Sequence, residues 1–290
     1  VLTLSKSPSA DTTGMVRVYR QGGDGLYAPH GADLFGSAKG EEFGSSLSIS
    51  DNGNRIAVGS RSSSAPNKSK CGAISMFEYD ESSDLWLQLG STIEGSDAND
   101  RFGYSISMSG LGLRVAAGGP STSRKVGSAM VFEYTGIDWI PFGGALKDEI
   151  VGSRFGGVVS LSRDGGTLAV GALSFSNEEA APNMGSLSVY RIDETITLSQ
   201  NLYGRGKGSN FGYSASMSRD GQRLVVGARG FSYDDFATAG MCEVYDLVDE
   251  TYVSSADVIG TESDQQLGLH VAMSSDGSKG RKPEDSEFPC

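Results

Sequence analysis

Cysteine, histidine and proline are scarce in this sequence, and no hydrophobic run is long. The 290 residues hold three cysteines, two histidines and eight prolines. Cys71, Cys242 and Cys290 are too few, and odd in number, for a disulfide framework. They read as small thiols, two of them buried at the entries to strands. His30 and His270 have no cysteine or carboxylate at metal-ligand spacing, so neither a metal nor another cofactor is expected. No stretch approaches the roughly 18 apolar residues that a membrane span needs. The Gly-x-Ser-x-Gly of a nucleophile elbow is missing as well, and no catalytic residue is expected. Positive charge is short: 24 Lys and Arg against 36 Asp and Glu leave a net charge of −12. That balance argues against nucleic acid or an anionic membrane surface as partner.

Glycine, by contrast, is abundant. Its 41 copies are about twice the usual share of roughly 7%, and they recur in register. A Phe-Gly pair falls at Phe43, Phe102, Phe155 and Phe211, with Leu267-Gly268 as a weaker fifth copy, at spacings of 59, 53, 56 and 56 residues. A fixed period overrides chain length as a guide to domain count. One domain over 1–277 is expected, followed by a disordered tail over 278–290, where SKGRKPEDSEFPC has no strand pattern.

Each repeat offers four strand-like runs. The first follows Phe-Gly and alternates apolar with small residues, as in SLSIS, SISMS, VVSLS, SASMS and HVAMS. A turn follows at Asn52-Gly53, Asp164-Gly165, Asp220-Gly221 and Asp276-Gly277, with Leu111-Gly112 in the second repeat. Such pairs between apolar runs are a strong hairpin signal. The second run (RIAVGS, LRVAAGG, TLAVGA, RLVVGA) is apolar nearly throughout and reads as buried on both faces. The third opens at Gly14, Gly72, Gly127, Gly185 or Gly240 and carries an aromatic at Tyr19, Phe77, Phe132, Tyr190 or Tyr245. The fourth is weak, as a half-solvated outer edge should be.

Four-stranded antiparallel units repeated at this period predict an all-β fold, a β-propeller. Residues 1–36 supply the last three strands of a blade and residues 267–274 supply a first strand. The ring is therefore expected to close at five blades, the C-terminal strand joining the N-terminal three. A fragment of a seven-bladed propeller is the alternative.

Phe-Gly opening the first strand, Gly-Ala or a variant closing the second and Gly opening the third resembles the FG-GAP repeat of integrin alpha-subunit propellers. The calcium loop of that family is absent here, because Ser162-Arg163-Asp164-Gly165 is too short and too poor in carboxylates. The resemblance implies a non-enzymatic, extracellular or cell-surface adhesion module that binds a protein or glycan through the loops of one face. A repeat lectin with sugar sites between blades is the alternative, and a five-bladed glycosidase a further one. The glycosidase would need carboxylates converging on the hub, and no first strand carries one.

The candidate ligand-binding residues are Phe231, Tyr233, Asp234 and Asp235, whose loop mixes aromatics and carboxylates. Tyr104 and Tyr213 join them because they follow Phe-Gly at the mouth of the first strand. The plainer readings are a loop folded onto its neighbour and rim packing. The loop Asn177-Glu178-Glu179 reads as solvated, and Gly204–Gly208, GRGKG, as a turn between blades.

Overall fold

The computed structural model describes residues 2–5, 13–121, 126–176, 182–274 and 276–278. Asn177, Glu178, Glu179, Cys290 and the tail from 279 onward lie outside the described residues. Among the described residues every regular element is a strand, and the strands form five antiparallel sheets. The first contains β1 (Leu2–Ser5), β2 (Met15–Gln21), β3 (Tyr27–Pro29) and β4 (Leu34–Phe35). The second contains β5 (Phe43–Ile49), β6 (Arg55–Ser60), β7 (Ala73–Asp80), β8 (Leu85–Gln88) and β9 (Ile93–Glu94). The third runs β10 (Ser105–Met108), β11 (Arg114–Gly119), β12 (Ser128–Tyr134) and β13 (Trp139–Leu146). The fourth runs β14 (Phe155–Leu161), β15 (Thr167–Ala172), β16 (Ser186–Ile192) and β17 (Ile196–Tyr203). The fifth runs β18 (Phe211–Met217), β19 (Arg223–Ala228), β20 (Met241–Val248) and β21 (Thr251–Ile259).

Each complete sheet is a meander from an inner to an outer strand. The inner strands β5, β10, β14 and β18 touch in succession, whereas the outer strands touch little, so the sheets radiate from a hub. The second strands β6, β11, β15 and β19 are buried at five of six positions each, as their continuous apolar pattern requires. Outer strands such as β13 and β21 have one buried residue each and are otherwise exposed or half-buried. In three of the repeats, the Phe of Phe-Gly packs edge-on against the aromatic of its own third strand. Ring centroids lie 6.1 Å apart for Phe43–Phe77, 6.0 Å for Phe102–Phe132 and 6.2 Å for Phe211–Tyr245.

The glycines that define the repeat meet at the seams. Gly103, Gly156, Gly212 and Gly268, the second residues of Phe-Gly, all have φ between 77° and 86°. That is a region L side chains rarely enter. The oxygen of each lies against the glycine that ends the second strand of the preceding sheet. A Cβ on Gly59, Gly118, Gly171 or Gly227 would fall 2.0 to 2.3 Å from those oxygens. Serines tie the same seam: Ser46 donates to the Gly103 carbonyl at 2.7 Å, Ser105 to Gly156 at 3.0 Å and Ser214 to Gly268 at 2.8 Å. A second serine on each strand accepts from the next inner strand, from Met108 to Ser48 at 2.9 Å, Leu161 to Ser107 at 2.9 Å and Met273 to Ser216 at 3.0 Å. The small residues alternating through SLSIS are thus the glue between blades.

The ring closure expected from the sequence is not formed among the described residues. β1 pairs with β2 alone, and residues 269–274 belong to no sheet. Residues 267–274 and 276–277 instead lie against the fifth sheet where a next inner strand belongs. They make the same seam contacts as the other copies: Leu267 N–H to the Ala239 carbonyl, Ser214 to Gly268, and Arg223 to the Gly277 carbonyl. Half of an inner strand's hydrogen bonds come from a second strand, and β1 is not brought alongside to supply them.

Candidate functional site

The turns that end β5, β14 and β18 are built the same way, and at the end of β10 Leu111 replaces the Asp or Asn. Ser162 donates to Asp164 Oδ1 at 2.5 Å, Asp164 Oδ1 accepts the Gly166 N–H at 2.8 Å, and Ser162 Oγ accepts from Thr167 N–H at 2.9 Å. Ser50 with Asn52, and Ser218 with Asp220, repeat the arrangement. One position before the Asp or Asn, the chain passes from sheet to sheet around the hub. Asp51 N–H donates to the Gly110 carbonyl at 2.8 Å, Gly110 N–H to Arg163 at 2.6 Å, and Arg163 N–H to Arg219 at 3.0 Å. Four successive turns are therefore stitched into a rim.

That column carries the charged groups nearest the hub. Arg163, from the fourth sheet, pairs with Asp51 of the second and reaches the Ile49 carbonyl at 3.4 Å. Arg219, from the fifth, donates to the other oxygen of Asp51 at 2.6 Å. The third sheet contributes Gly110, where a Cβ would fall 2.4 Å from Asp51 Oδ2. No side chain obstructs the crossing. The inner strands themselves carry no charged residue. The column immediately after the strand's last serine, Asp51, Gly110, Arg163 and Arg219, is where the hub charges sit.

Beside this rim opens a cleft of about 340 Å³, lined by Ser109, Leu111, Leu113, Arg114, Glu133, Tyr134, Arg163 and Asp164. Arg114 is fixed there. Its Nε donates to Glu133 at 2.9 Å, and its guanidinium lies 4.9 Å from the Phe142 ring centre. Leu111 and Leu113 are exposed, so the cleft offers apolar wall and ionic groups together. A smaller cleft of about 240 Å³ lies between the first two sheets and includes Arg20, Tyr27, His30, Asn52 and Asn54. The His30 ring packs 3.9 Å from that of Tyr79, and burial pulls the imidazole below its ordinary range, so His30 is neutral at pH 7. His270 is exposed. Cys71 and Cys242 are buried thiols, as expected. Among the described residues, no three His, Cys, Asp or Glu side chains gather to hold a metal.

The residues singled out from the sequence lie at the opposite end of the wheel. Tyr104 lies under the Arg61 guanidinium at 5.6 Å, and Tyr213 under Arg229 at 4.2 Å. Phe231 is half-buried against the core of the fourth and fifth sheets. Tyr233 and Phe236 pair across a turn in which Asp234 has φ 49°, and Ala65 and Lys68 pair in the same way in the second sheet. Asp235 is exposed on that turn. Tyr104, in the third sheet, is two sheets away from this loop of the fifth, and the candidates do not converge.

Five antiparallel sheets, four of them radial meanders whose inner strands gather at one hub, define an all-β, propeller-like protein. Solved structures of that shape include a periplasmic gluconolactonase of Pseudomonas aeruginosa, at TM-score 0.59 and 15% identity, the match covering 88% of this chain and 67% of that one. A candidate 6-phosphogluconolactonase of Bacteroides uniformis matches at TM-score 0.59 and 15% identity over 91% of this chain and 69% of that one. A similar protein of Bacteroides fragilis matches at 0.58 and 15% over 92% and 68%. No protein-family model matches the chain, and no curated protein matches it in sequence. At such identity the likeness establishes the fold alone.

These findings correct the FG-GAP resemblance and the integrin-like adhesion reading drawn from it. The chain is similar to lactonase propellers, so the expectation of a non-enzymatic adhesion module, or of a lectin, is overturned with it. The physical reason lies in the seams. Phe-Gly, Gly-Ala and the glycine opening the third strand are demanded wherever one blade's backbone rests on the next, and they report that packing, not a family.

Proposed function

We propose that this chain is a hydrolase of small lactones, working in the cleft beside Arg163. The observation that carries the reading is the pairing, in one cleft, of a guanidinium with a carboxylate held rigidly by its turn. Asp164 uses Oδ1 for both turn hydrogen bonds, which leaves Oδ2 available to the cleft that Asp164 lines. In the reaction, water adds to the lactone carbonyl carbon, the ring C–O bond breaks, and a hydroxy acid leaves. Asp164 takes the proton of the attacking water, and Arg163 stabilises the negative charge that develops on the carbonyl oxygen. The proton passes from Asp164 to the departing ring oxygen, so the carboxylate is restored. The lactonase-type structures of the same fold support this class of substrate.

The same reading takes the five sheets as consecutive blades of a wider wheel. The matches cover about two thirds of the seven-bladed lactonase propellers. Residues 267–274 and 276–277, seated where a further inner strand belongs, favour that count over a ring closed at five.

The fold supplies the control for the test. Asn52 caps the equivalent turn with the same hydrogen bonds, so Asp164→Asn keeps the turn and removes the base. Hydrolysis of an aldonolactone should fall by about 10²- to 10⁴-fold in D164N, while Asp220→Asn, at the sister turn, should keep full activity. Equal activity in wild type and D164N would end the proposal.

A further inference from the structure

We infer that the hub mouth between Arg163 and Arg219 is a binding site for a small oxyanion, a carboxylate or phosphate group. Two guanidiniums converge on the single carboxylate of Asp51, one on each oxygen. Among the described ion pairs Asp51 is the only acid that two arginines share. At the neighbouring turns the arithmetic is balanced. Arg55, Arg114 and Arg223 each take one acid from the neighbouring strand and one carbonyl from the next turn. At the hub mouth, donors exceed acceptors. Each guanidinium brings five N–H groups and a carboxylate about four lone pairs.

Arg219 is the group with capacity to spare. Its side chain is 62% exposed although one Nη is engaged with Asp51, so the guanidinium remains accessible to solvent. Arg163 is held more firmly, by Asp51 and by the Ile49 carbonyl. Gly110 keeps the floor between them clear, since any Cβ there would collide with Asp51. The cluster carries a net charge of +1 in a protein of net charge −12. An anion arriving between two planar forks receives paired N–H donors from both. Asp51 is then an internal competitor that holds the forks in place when no ligand is bound.

The site's existence does not depend on the hydrolase reading. Only its position next to the cleft does, where the carboxylate made by opening a lactone would lie within reach. The test therefore measures binding and not turnover. Inorganic phosphate is titrated by calorimetry at low ionic strength, where the pair is least screened. Wild type should bind in the millimolar range or tighter. Arg219→Gln should weaken binding about tenfold, and Arg219→Lys, which keeps charge but loses the fork, by less. Asp51→Asn should tighten it severalfold by removing the competitor, with circular dichroism confirming the fold. Absence of phosphate binding in wild type, or binding unchanged in R219Q, would overturn the site. Phosphate binding with D164N fully active would keep the site and remove the hydrolase. The reverse pattern would do the opposite.

Discussion

At one end of the wheel, where Phe-Gly meets Gly-Ala, neighbouring blades touch backbone to backbone. At the other end, where the Asp-Gly turns gather, arginine side chains add to the backbone hydrogen bonds that join them. The glycine end repeats almost without variation, because a carbonyl resting on a Cα leaves room for hydrogen alone. The turn end varies. Arg55, Arg114 and Arg223 reach across to Gly112, Gly165 and Gly277, but the fourth sheet has Thr167 at that place, and its Oγ1 lies near Gly221. The column of Asp51, Gly110, Arg163 and Arg219 varies most of all. Uniform packing belongs to the scaffold, and variation marks where a site can be built without loss of the wheel.

The sharpest test of that contrast is a single side chain at the glycine end. A Cβ on Gly118 would stand 2.1 Å from the Gly156 carbonyl oxygen and 2.5 Å from Ser105 Oγ. Backbone has nowhere to retreat there, so Gly118→Val should cost about 4 kcal/mol or more, in the range of severe core overpacking. Thermal melts or soluble yield would show it. A variant that melts within a few degrees of wild type would mean that the seam is plastic and that the glycines do not govern it.

The same contrast explains what could be read from the sequence. The blades, their strand order and the buried second strands were legible because glycine, the Asp-Gly turns and apolar runs repeat in register. Closure was not. The complementarity of residues 267–274 with the first sheet is a count of strands, and counting does not say whether two distant edges come together. The hub charges were hidden for a different reason. Arg163 and Asp51 are ordinary turn residues in sequence, and only the stitched rim brings residues 112 positions apart into one ion pair. The aromatic loop around Tyr233 drew notice by composition, yet its geometry is a turn shared with Ala65–Lys68.

Serine at the seams offers a finer test. Ser105 donates to Gly156, while the equivalent residue of the fourth sheet is Val158, packed against the core of the fourth and fifth sheets. Ser105→Val should strand a buried carbonyl and cost about 1 to 2 kcal/mol. Val158→Ser should install the missing hydrogen bond to Gly212 while losing about 1.5 kcal/mol of apolar burial. The net change is under about 1 kcal/mol, readable as a small fall in urea midpoint with an unchanged slope. A large loss in V158S with none in S105V would show that apolar contact, and not hydroxyl bridging, joins the blades.

The smallest effect lies at the turns, and its sign follows from the carboxylates. Asp220 is held below its ordinary range chiefly by the Gln222 N–H, with Ser218 assisting. Asp276, which accepts from Ser278 and Ser274, is lowered to about 2. A carboxyl whose folded pKa is depressed stabilises the fold above its unfolded pKa, near 4, and the contribution disappears as pH falls through the folded value. The turns should therefore loosen between about pH 4 and 2. Asn52 does the same work without a titrating group, so Asp220→Asn should leave stability at pH 7 nearly unchanged and flatten its fall in acid. Urea midpoints from pH 7 down to 2 measure this directly. An identical acid slope in D220N would place acid sensitivity outside this turn.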